Sequence, residues 1–311
     1  MKLAIAGCGA TGGAFARAAL RNADVELAGT YDPDASKYEG APGARTYESW
    51  DALLGSQADA VLVAAPQPEQ AALARTALER GKNVLVPLPL STDADEASSL
   101  FELAGRKGAK LIPCNVDRYC GNIRDVKKHI DGGTIGRIGI AEMRRTVPRT
   151  IGWYADVANS GGALYQLLMP ELDTLDDWLG GVKNAYGYRR TAGGTDFAVL
   201  TVEAESGAIA SISVLWGGME PYGRQYELSG SGGNLRFDSR TANSSVVFGE
   251  NAPPFNFDPA LELAEHNPYG LLLADVAARL DQIDMQAVAE RTRRLYDLLK
   301  IVETIGEGVR A

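Results

Sequence analysis

The chain has 311 residues, 45% of them hydrophobic and 23% charged, with a formal net charge of −9. That length exceeds one usual compact core, so two domains are expected, and the apolar content argues against a disordered chain. The acidic balance repels phosphate backbones and anionic membranes, so neither nucleic acid nor a membrane surface is an expected partner.

The chain opens on "MKLAIAGCGATGG", with one Lys and a short strand before its glycines, too little for a signal peptide. No window reaches the roughly 18 apolar residues of a membrane-spanning helix, and a cytoplasmic location is expected. From residue 2 to about 120, short apolar runs ("KLAIAG", "VELAGTYD", "AVLVAAP", "NVLVPL", "KLIPCN") alternate with stretches of helical spacing ("TGGAFARAALR", "PEQAALARTALERG", "ADEASSLFELAGRKG"). Strands alternating with helices predict a doubly wound parallel sheet, and fully apolar strands fit burial on both faces.

Past residue 120 the rhythm changes. "GNIRDVKKHIDGG" predicts a helix, "GRIGIAEMRRTV" a strand, and "GGALYQLLMPELDTLDDWLGG" a helix between glycine pairs. "NAYGYRR", "TDFAVLTVEAESGAIASISVLW", "RQYELSGSGGNLRFD" and "SSVVFG" alternate and carry turn residues, which predicts a large antiparallel sheet. "DMQAVAERTRRLYDLLKIVETIGEG" closes the chain as a long amphipathic helix. The expected domains are 1–120 and 121–311, with the last helix able to pack back on the first.

Gly7, Gly9 and Gly12 form G-x-G-x-x-G directly after the first strand. This pattern gives a tight turn, a close backbone approach to a pyrophosphate and close helix packing, with the Ala10 and Thr11 amides at a helix N-terminus. Asp32 ends the second strand 20 residues after Gly12, where a carboxylate accepts from a ribose 2′-hydroxyl and repels a 2′-phosphate. With no Arg beside it in "YDPDAS", the expected cofactor is NAD rather than NADP. Ala65, Pro66 and Gln67 leave the next apolar strand as a loop able to lie over the cofactor. A turn-only reading of these glycines and of Pro66 needs no ligand.

Cys8, Cys114 and Cys120 are odd in number and lack metal spacing, so they are read as reduced thiols with no metal site.

Together with "GKNVLVPLPLS", "NVDRYCGNIRDVKKHIDGGTIGRI" and "GGALYQLLMPELDTLDDWLGG", these motifs resemble the glucose-fructose oxidoreductase, inositol dehydrogenase and MocA (Gfo/Idh/MocA) family over nearly the whole chain. The resemblance implies a Rossmann domain, then an α/β domain whose large open sheet commonly makes oligomer contacts. It also implies NAD(P)-dependent redox chemistry on a sugar, inositol or related small molecule. In that family one strand usually ends Glu-Lys-Pro, the Lys reaching substrate and nicotinamide ribose; here Pro87, Leu88 and Pro89 stand there, and Leu88 carries no polar group. The family's Asp and His, four apart on one helix face, are replaced by Gln166 and Pro170.

Tyr165, Glu171 and Asp173 are substitute acid candidates, against the plainer reading of a charged helix start. Arg118 and Tyr119 match the family's Arg-aromatic pair. Arg144, Arg145 and Arg149 form either an anion-attracting patch or a solvated strand face. Trp153 and Tyr154 read as an apolar wall or as core; His129 and His266 do not read as bases. The functional expectation is a redox enzyme with altered chemistry, such as hydride addition to an activated double bond or imine. The alternatives are a catalytically degenerate dinucleotide-binding sensor, scaffold or partner, and a lyase or hydrolase with tightly held NAD.

Overall fold

The computed structural model describes residues 1–41, 43–148, 152–192, 195–218, 221–241, 245–249 and 267–308. It divides into two compact units, Met1–Tyr119 with His266–Arg293, and Cys120–Glu265 with Arg294–Ala311.

The first unit runs β1 (Lys2–Ala6), α1 (Ala10–Ala19), β2 (Glu26–Tyr31), α2 (Trp50–Leu54), β3 (Ala60–Val63), α3 (Gln67–Glu79), β4 (Asn83–Pro87), α4 (Ala94–Lys107) and β5 (Leu111–Cys114). The strands pair in parallel in the order β2-β1-β3-β4-β5. Leu3, Ile5, Val61, Leu62, Val84 and Leu85 are fully buried, as two covered faces require. The Asp93 carboxylate caps α4 by accepting from the Asp95 and Glu96 amides, and Gly108 ends it in the left-handed region. Chain order reverses beside β1, whose neighbours β2 and β3 lie on opposite sides; the crevice at such a switch point is where ligands of open α/β sheets bind.

In the second unit come α5 (Gly121–Asp131), β6 (Ile138–Pro148), α6 (Val157–Ser160), a π-helical turn (Leu164–Leu168), α7 (Met169–Leu179), and β7 (Val182–Ala192), β8 (Thr195–Ala204), β9 (Ile209–Gly218), β10 (Gly223–Gly230), β11 (Gly233–Asp238) and β12 (Ser245–Gly249). The sheet order is β12-β11-β10-β6-β9-β8-β7. The expected antiparallel sheet is mixed, because β6 and β9 pair in parallel. The helical excursion after β6 starts β7 in the same direction as β6, so the third strand of the β7-β8-β9 meander also runs that way where it joins β6. One face buries Leu200, Ile212, Val214, Tyr226 and Leu228; the other exposes Ile140, Tyr186, Tyr188, Val199 and Ile209.

Two helices close the chain, α8 (Pro268–Arg279) and α9 (Met285–Gly308). Helix α8 is not among the elements expected from the sequence. Asn267 caps it through the Tyr269 amide, and Leu272, Leu273 and Val276 join Leu3, Ile5 and Phe15 in the core of the first unit. Among the described residues no helix is long and apolar enough to cross a membrane.

Candidate functional site

All five strands of the first sheet end on one edge, and the loops that leave them carry the residues singled out in the sequence. Gly7 follows β1 with φ +91°, and a Cβ there would lie 2.5 Å from the Ala64 carbonyl oxygen. A Cβ on Gly12 would lie 1.8 Å from the Gly7 carbonyl oxygen, so β1 and α1 approach only because both positions lack side chains. Gly9, the N-cap of α1, faces open space and offers no side-chain cap. The Gly13 amide closes the first helical bond onto the Gly9 carbonyl at 2.8 Å, and Ala10 and Thr11 are exposed in front of it. The amides of this first turn have no acceptor within the helix.

Asp32 leaves β2 half-buried, its Oδ2 accepting from the Cys8 amide at 2.7 Å and its Oδ1 from the Asp34 amide at 2.9 Å. Asp32 is thus tied to the glycine turn itself. Burial first, and then the nearby Asp32 charge, raise the Cys8 thiol, while the Thr30 hydrogen bond lowers it; burial pushes Cys114 up to about 12. Both thiols stay protonated at neutral pH, which deprives them of nucleophilic character.

Ala65 and Pro66 leave β3 half-buried, and Pro66 is the N-cap of α3. Gln67 is buried and donates Nε2 to the Pro89 carbonyl at 3.2 Å. Leu88 is half-buried just past β4, its amide donating to the Cys114 carbonyl at 3.1 Å, and the Leu88–Pro89 bond is cis. Tyr119 donates its hydroxyl to Asp275 of α8, a carboxylate that Arg279 also holds. Burial, and then the Asp275 contact, raise the Tyr119 phenol well above the ordinary range.

In the second unit Gly161 and Gly162 both have positive φ, and a Cβ on Gly162 would stand 2.2 Å from the Asp196 Oδ2. Asp196, 1% exposed, accepts from the Ala163 amide, from Nε and Nη2 of Arg189 and from the Thr191 hydroxyl at 2.8–3.1 Å. This glycine pair leaves room for a buried carboxylate that starts the next helical segment. Gln166 is the one half-exposed residue between Gly161 and Pro170, and its Nε2 donates to the Ser160 carbonyl at 2.6 Å. The bond orients the amide, because a carbonyl only accepts. Pro170 sits in the first turn of α7, after the π-helical turn, and its carbonyl takes the Thr174 hydroxyl at 2.9 Å. The break that Pro170, with no N–H, predicts in this helix takes the form of a change of pitch just before it.

That change separates two residues that a continuous helix would set on roughly one face: Asp173 is 6% exposed, whereas Gln166 reaches the surface of its segment. Tyr165 is 5% exposed, its ring 6.2 Å from that of Tyr296. Glu171 is fully buried and accepts from Arg224 Nε at 2.7 Å and Arg145 Nη1 at 3.4 Å. Breaking a buried pair of this kind costs about 3–5 kcal/mol, enough to make it an anchor of α7 on the sheet. Arg145 therefore faces the helices, while Arg144 lies on the open face in a groove of about 570 Å³ with Glu142, Gln225 and Glu227. Tyr154 packs edge-on to Trp216, ring centroids 4.5 Å apart, and the His129 Nδ1 lies 3.3 Å from the Thr134 hydroxyl. Arg149, the Trp153 side chain and His266 lie outside the described residues. Among the described residues no three His, Cys, Asp or Glu side chains gather as a metal site.

Sequence and structure comparisons follow the same division. A model of the "Oxidoreductase family, NAD-binding Rossmann fold" matches residues 1–114, and one of the "GFO/IDH/MocA C-terminal domain" matches residues 123–236. Inositol 2-dehydrogenase 3 of Saccharopolyspora erythraea is 29% identical over 68% of this chain and 65% of its own length. The dTDP-3,4-didehydro-2,6-dideoxy-alpha-D-glucose 3-reductase of Streptomyces violaceoruber is 28% identical over 63% of this chain and 59% of its own. The chain thus spans less than two thirds of these relatives. Among solved structures, GenD2 from gentamicin A biosynthesis in complex with NAD superposes with a TM-score of 0.82 at 21% identity, covering 100% of this chain and 95% of that one. Biliverdin reductase of Synechocystis with biliverdin and NADP+ gives 0.78 at 18%, covering 97% and 99%. At these identities the structural likeness speaks for the fold.

Proposed function

Since the chain belongs to the Gfo/Idh/MocA family of NAD-binding oxidoreductases, we propose that it is an NAD(P)-dependent oxidoreductase of a small molecule, working toward reduction of a polarised double bond rather than oxidation of an alcohol. The single observation behind this reading is Leu88, an apolar side chain held half-buried at the carboxyl edge of the parallel sheet, where the family resemblance leads one to expect an ammonium.

The first unit fits a dinucleotide. Gly7 and Gly12 leave no space for a Cβ, the open side of Gly9 leaves backbone amides exposed to an anion, and Asp32 is fixed beside the turn. Gly7, Gly9, Ala10, Thr11 and Gly12 would hold the pyrophosphate; Asp32 would take the ribose hydroxyls, with Ala65, Pro66, Gln67, Pro87 and Leu88 along the same edge. This carboxylate supports NAD over NADP. When bound, it supplies or accepts a hydride.

The chain's own side chains then define the chemistry. Leu88 carries no polar group and contributes no proton. In the second unit Gln166, with Nε2 committed to Ser160, keeps Oε1 as an acceptor and has no proton to exchange. Pro170 has nothing to titrate, and Tyr165, Glu171 and Asp173 are buried. Alcohol oxidation requires a base for the hydroxyl proton. Addition of hydride to an enone, imine or similar acceptor can take its proton from water, which suits a face without a base.

A homo-oligomer through the open sheet belongs to the same reading, supported by the exposed Tyr186, Tyr188, Val199 and Ile209. The test of function is NADH and NADPH consumption at 340 nm with enones and imines, beside the alcohol–carbonyl couple measured as ketone reduction and as NAD reduction with polyols. Turnover confined to the double-bond acceptors is expected; polyol oxidation at comparable rates would overturn the assignment.

A further inference from the structure

Pro87 and Pro89 contribute no N–H, so the segment carrying residue 88 leaves the sheet without two of the donors that a ladder ordinarily uses. Helix α3 supplies donors from its side chains instead. Gln70, 4% exposed, donates Nε2 to the Pro89 carbonyl at 2.6 Å and to the Pro87 carbonyl at 3.1 Å. Gln67, 7% exposed, adds its own Nε2 to the Pro89 carbonyl at 3.2 Å. From the other side, the Cys114 carbonyl takes the Leu88 amide at 3.1 Å.

Four hydrogen bonds therefore converge on three consecutive residues, and the two carbonyls that flank Leu88 are both turned toward α3. An amide NH2 has two hydrogens, which lets Gln70 serve both carbonyls at once. Two amide side chains this deeply buried gain nothing over leucines of similar size unless their donors are needed. Without them the Pro87 and Pro89 carbonyls would lose these partners at a site largely closed to water. The rest of α3 packs through Ala71, Ala74, Ala77 and Leu78, so the polar contact is concentrated at the end of the helix nearest the ligand edge.

We propose that Gln70, assisted by Gln67, is a positioning residue: it fixes the Pro87–Leu88 and Pro89–Leu90 peptide planes and so sets where the Leu88 side chain stands against a bound nicotinamide dinucleotide. The proposal rests on the dinucleotide reading of the first unit, and its two halves are separately measurable. Backbone order at Leu88 needs no cofactor, whereas the consequence for binding does.

The variants are Gln70→Met and Gln67→Met, which keep length and volume while removing the donors. Hydrogen exchange at the Leu88 amide is measured in the apoprotein, with the β1 amides as internal reference, and NADH is titrated by its fluorescence. In Gln70→Met, Leu88 protection should fall about tenfold while β1 protection is kept. NADH affinity should fall about fivefold, the factor that one lost hydrogen bond supplies, with altered NADH emission. Gln67→Met should show the same pattern more weakly, and carries the test if Gln70→Met does not fold. Uniform loss of protection across β1 and Leu88, or unchanged Leu88 protection, would overturn the positioning role. If the wild-type protein binds neither NADH nor NADPH, the dinucleotide reading fails and the binding half of the proposal with it, while local exchange still decides whether the glutamines hold Leu88.

Discussion

On the proposed dinucleotide reading, replacing Asp32 by Asn removes one charge and little volume at the place where the two dinucleotides would differ. Each Asp32 oxygen already accepts one backbone amide, from Cys8 at 2.7 Å and from Asp34 at 2.9 Å. A carboxylate oxygen offers about two acceptor positions, so one per oxygen remains for ribose hydroxyls. Hydrogen bonds to a charged acceptor contribute about 1.5–3 kcal/mol, and losing the charge should weaken NADH about ten- to hundredfold. A 2′-phosphate placed about 4 Å from Asp32 would be opposed by roughly 4 kcal/mol per unit charge at an effective dielectric constant near 20, less after salt screening. The nearby Lys37 ammonium offers little relief, since it lies 3.7 Å from Asp34 on an exposed turn. Wild-type protein should therefore prefer NADH by about a hundredfold or more, and Asp32→Asn should bring the two affinities within about tenfold, with NADPH binding tighter than before. Fluorescence titration of both nucleotides at low and high salt measures this. A wild-type preference for NADPH, or a ratio unchanged by the substitution, would refute the reasoning.

Tyr119 gives a pH dependence whose sign follows from its raised phenol. Burial and Asp275 favour the neutral form in the folded state, so this contribution is complete below the ordinary tyrosine value of about 10 and is lost as pH rises above it. Urea midpoints taken on either side of that value should fall on the alkaline side, and fall less in Tyr119→Phe; equal slopes would rule the linkage out. On the open sheet, Tyr188 and Val199 are cross-strand partners and both are exposed. Lysine at either position should convert a wild-type oligomer to folded monomers in light scattering, with the circular dichroism kept, and a monomeric wild-type protein would remove the oligomer from the functional reading.

The parallel sheet and the glycine turn are legible because short apolar runs alternating with helical spacing, and Gly-x-Gly-x-x-Gly, are local patterns. Helix α8 escaped despite its start signal, Asn267 before Pro268, because its apolar run is short of polar punctuation and its partner, the face of α1, lies far away in sequence. The adjacent Arg144 and Arg145 had to face opposite sides of a strand, but which one met Glu171 depended on register, which no local pattern contains. Pro170 announced a break in its helix; that the break takes the form of a π-helical turn, and that it sets Gln166 apart from Asp173, depends on how the segment packs. The glutamine donors beside Leu88 looked like loop and helix-start residues, since nothing in "PQPEQ" reveals that carbonyls twenty residues on lack partners.

The core that Leu3, Ile5 and Phe15 begin is completed by Leu272, Leu273 and Val276. During synthesis the nascent chain must therefore carry an unfinished first unit while the whole of Cys120–Glu265 is made. Chains ordinarily fold one domain at a time from the N-terminus. Here neither unit has all its residues until the C-terminal helices are made, and a fragment cut after Tyr119 would display the uncovered side of α1, with Phe15 deprived of its edge-on partner Tyr269. The apolar surface left waiting on the ribosome is where a chaperone would find this protein.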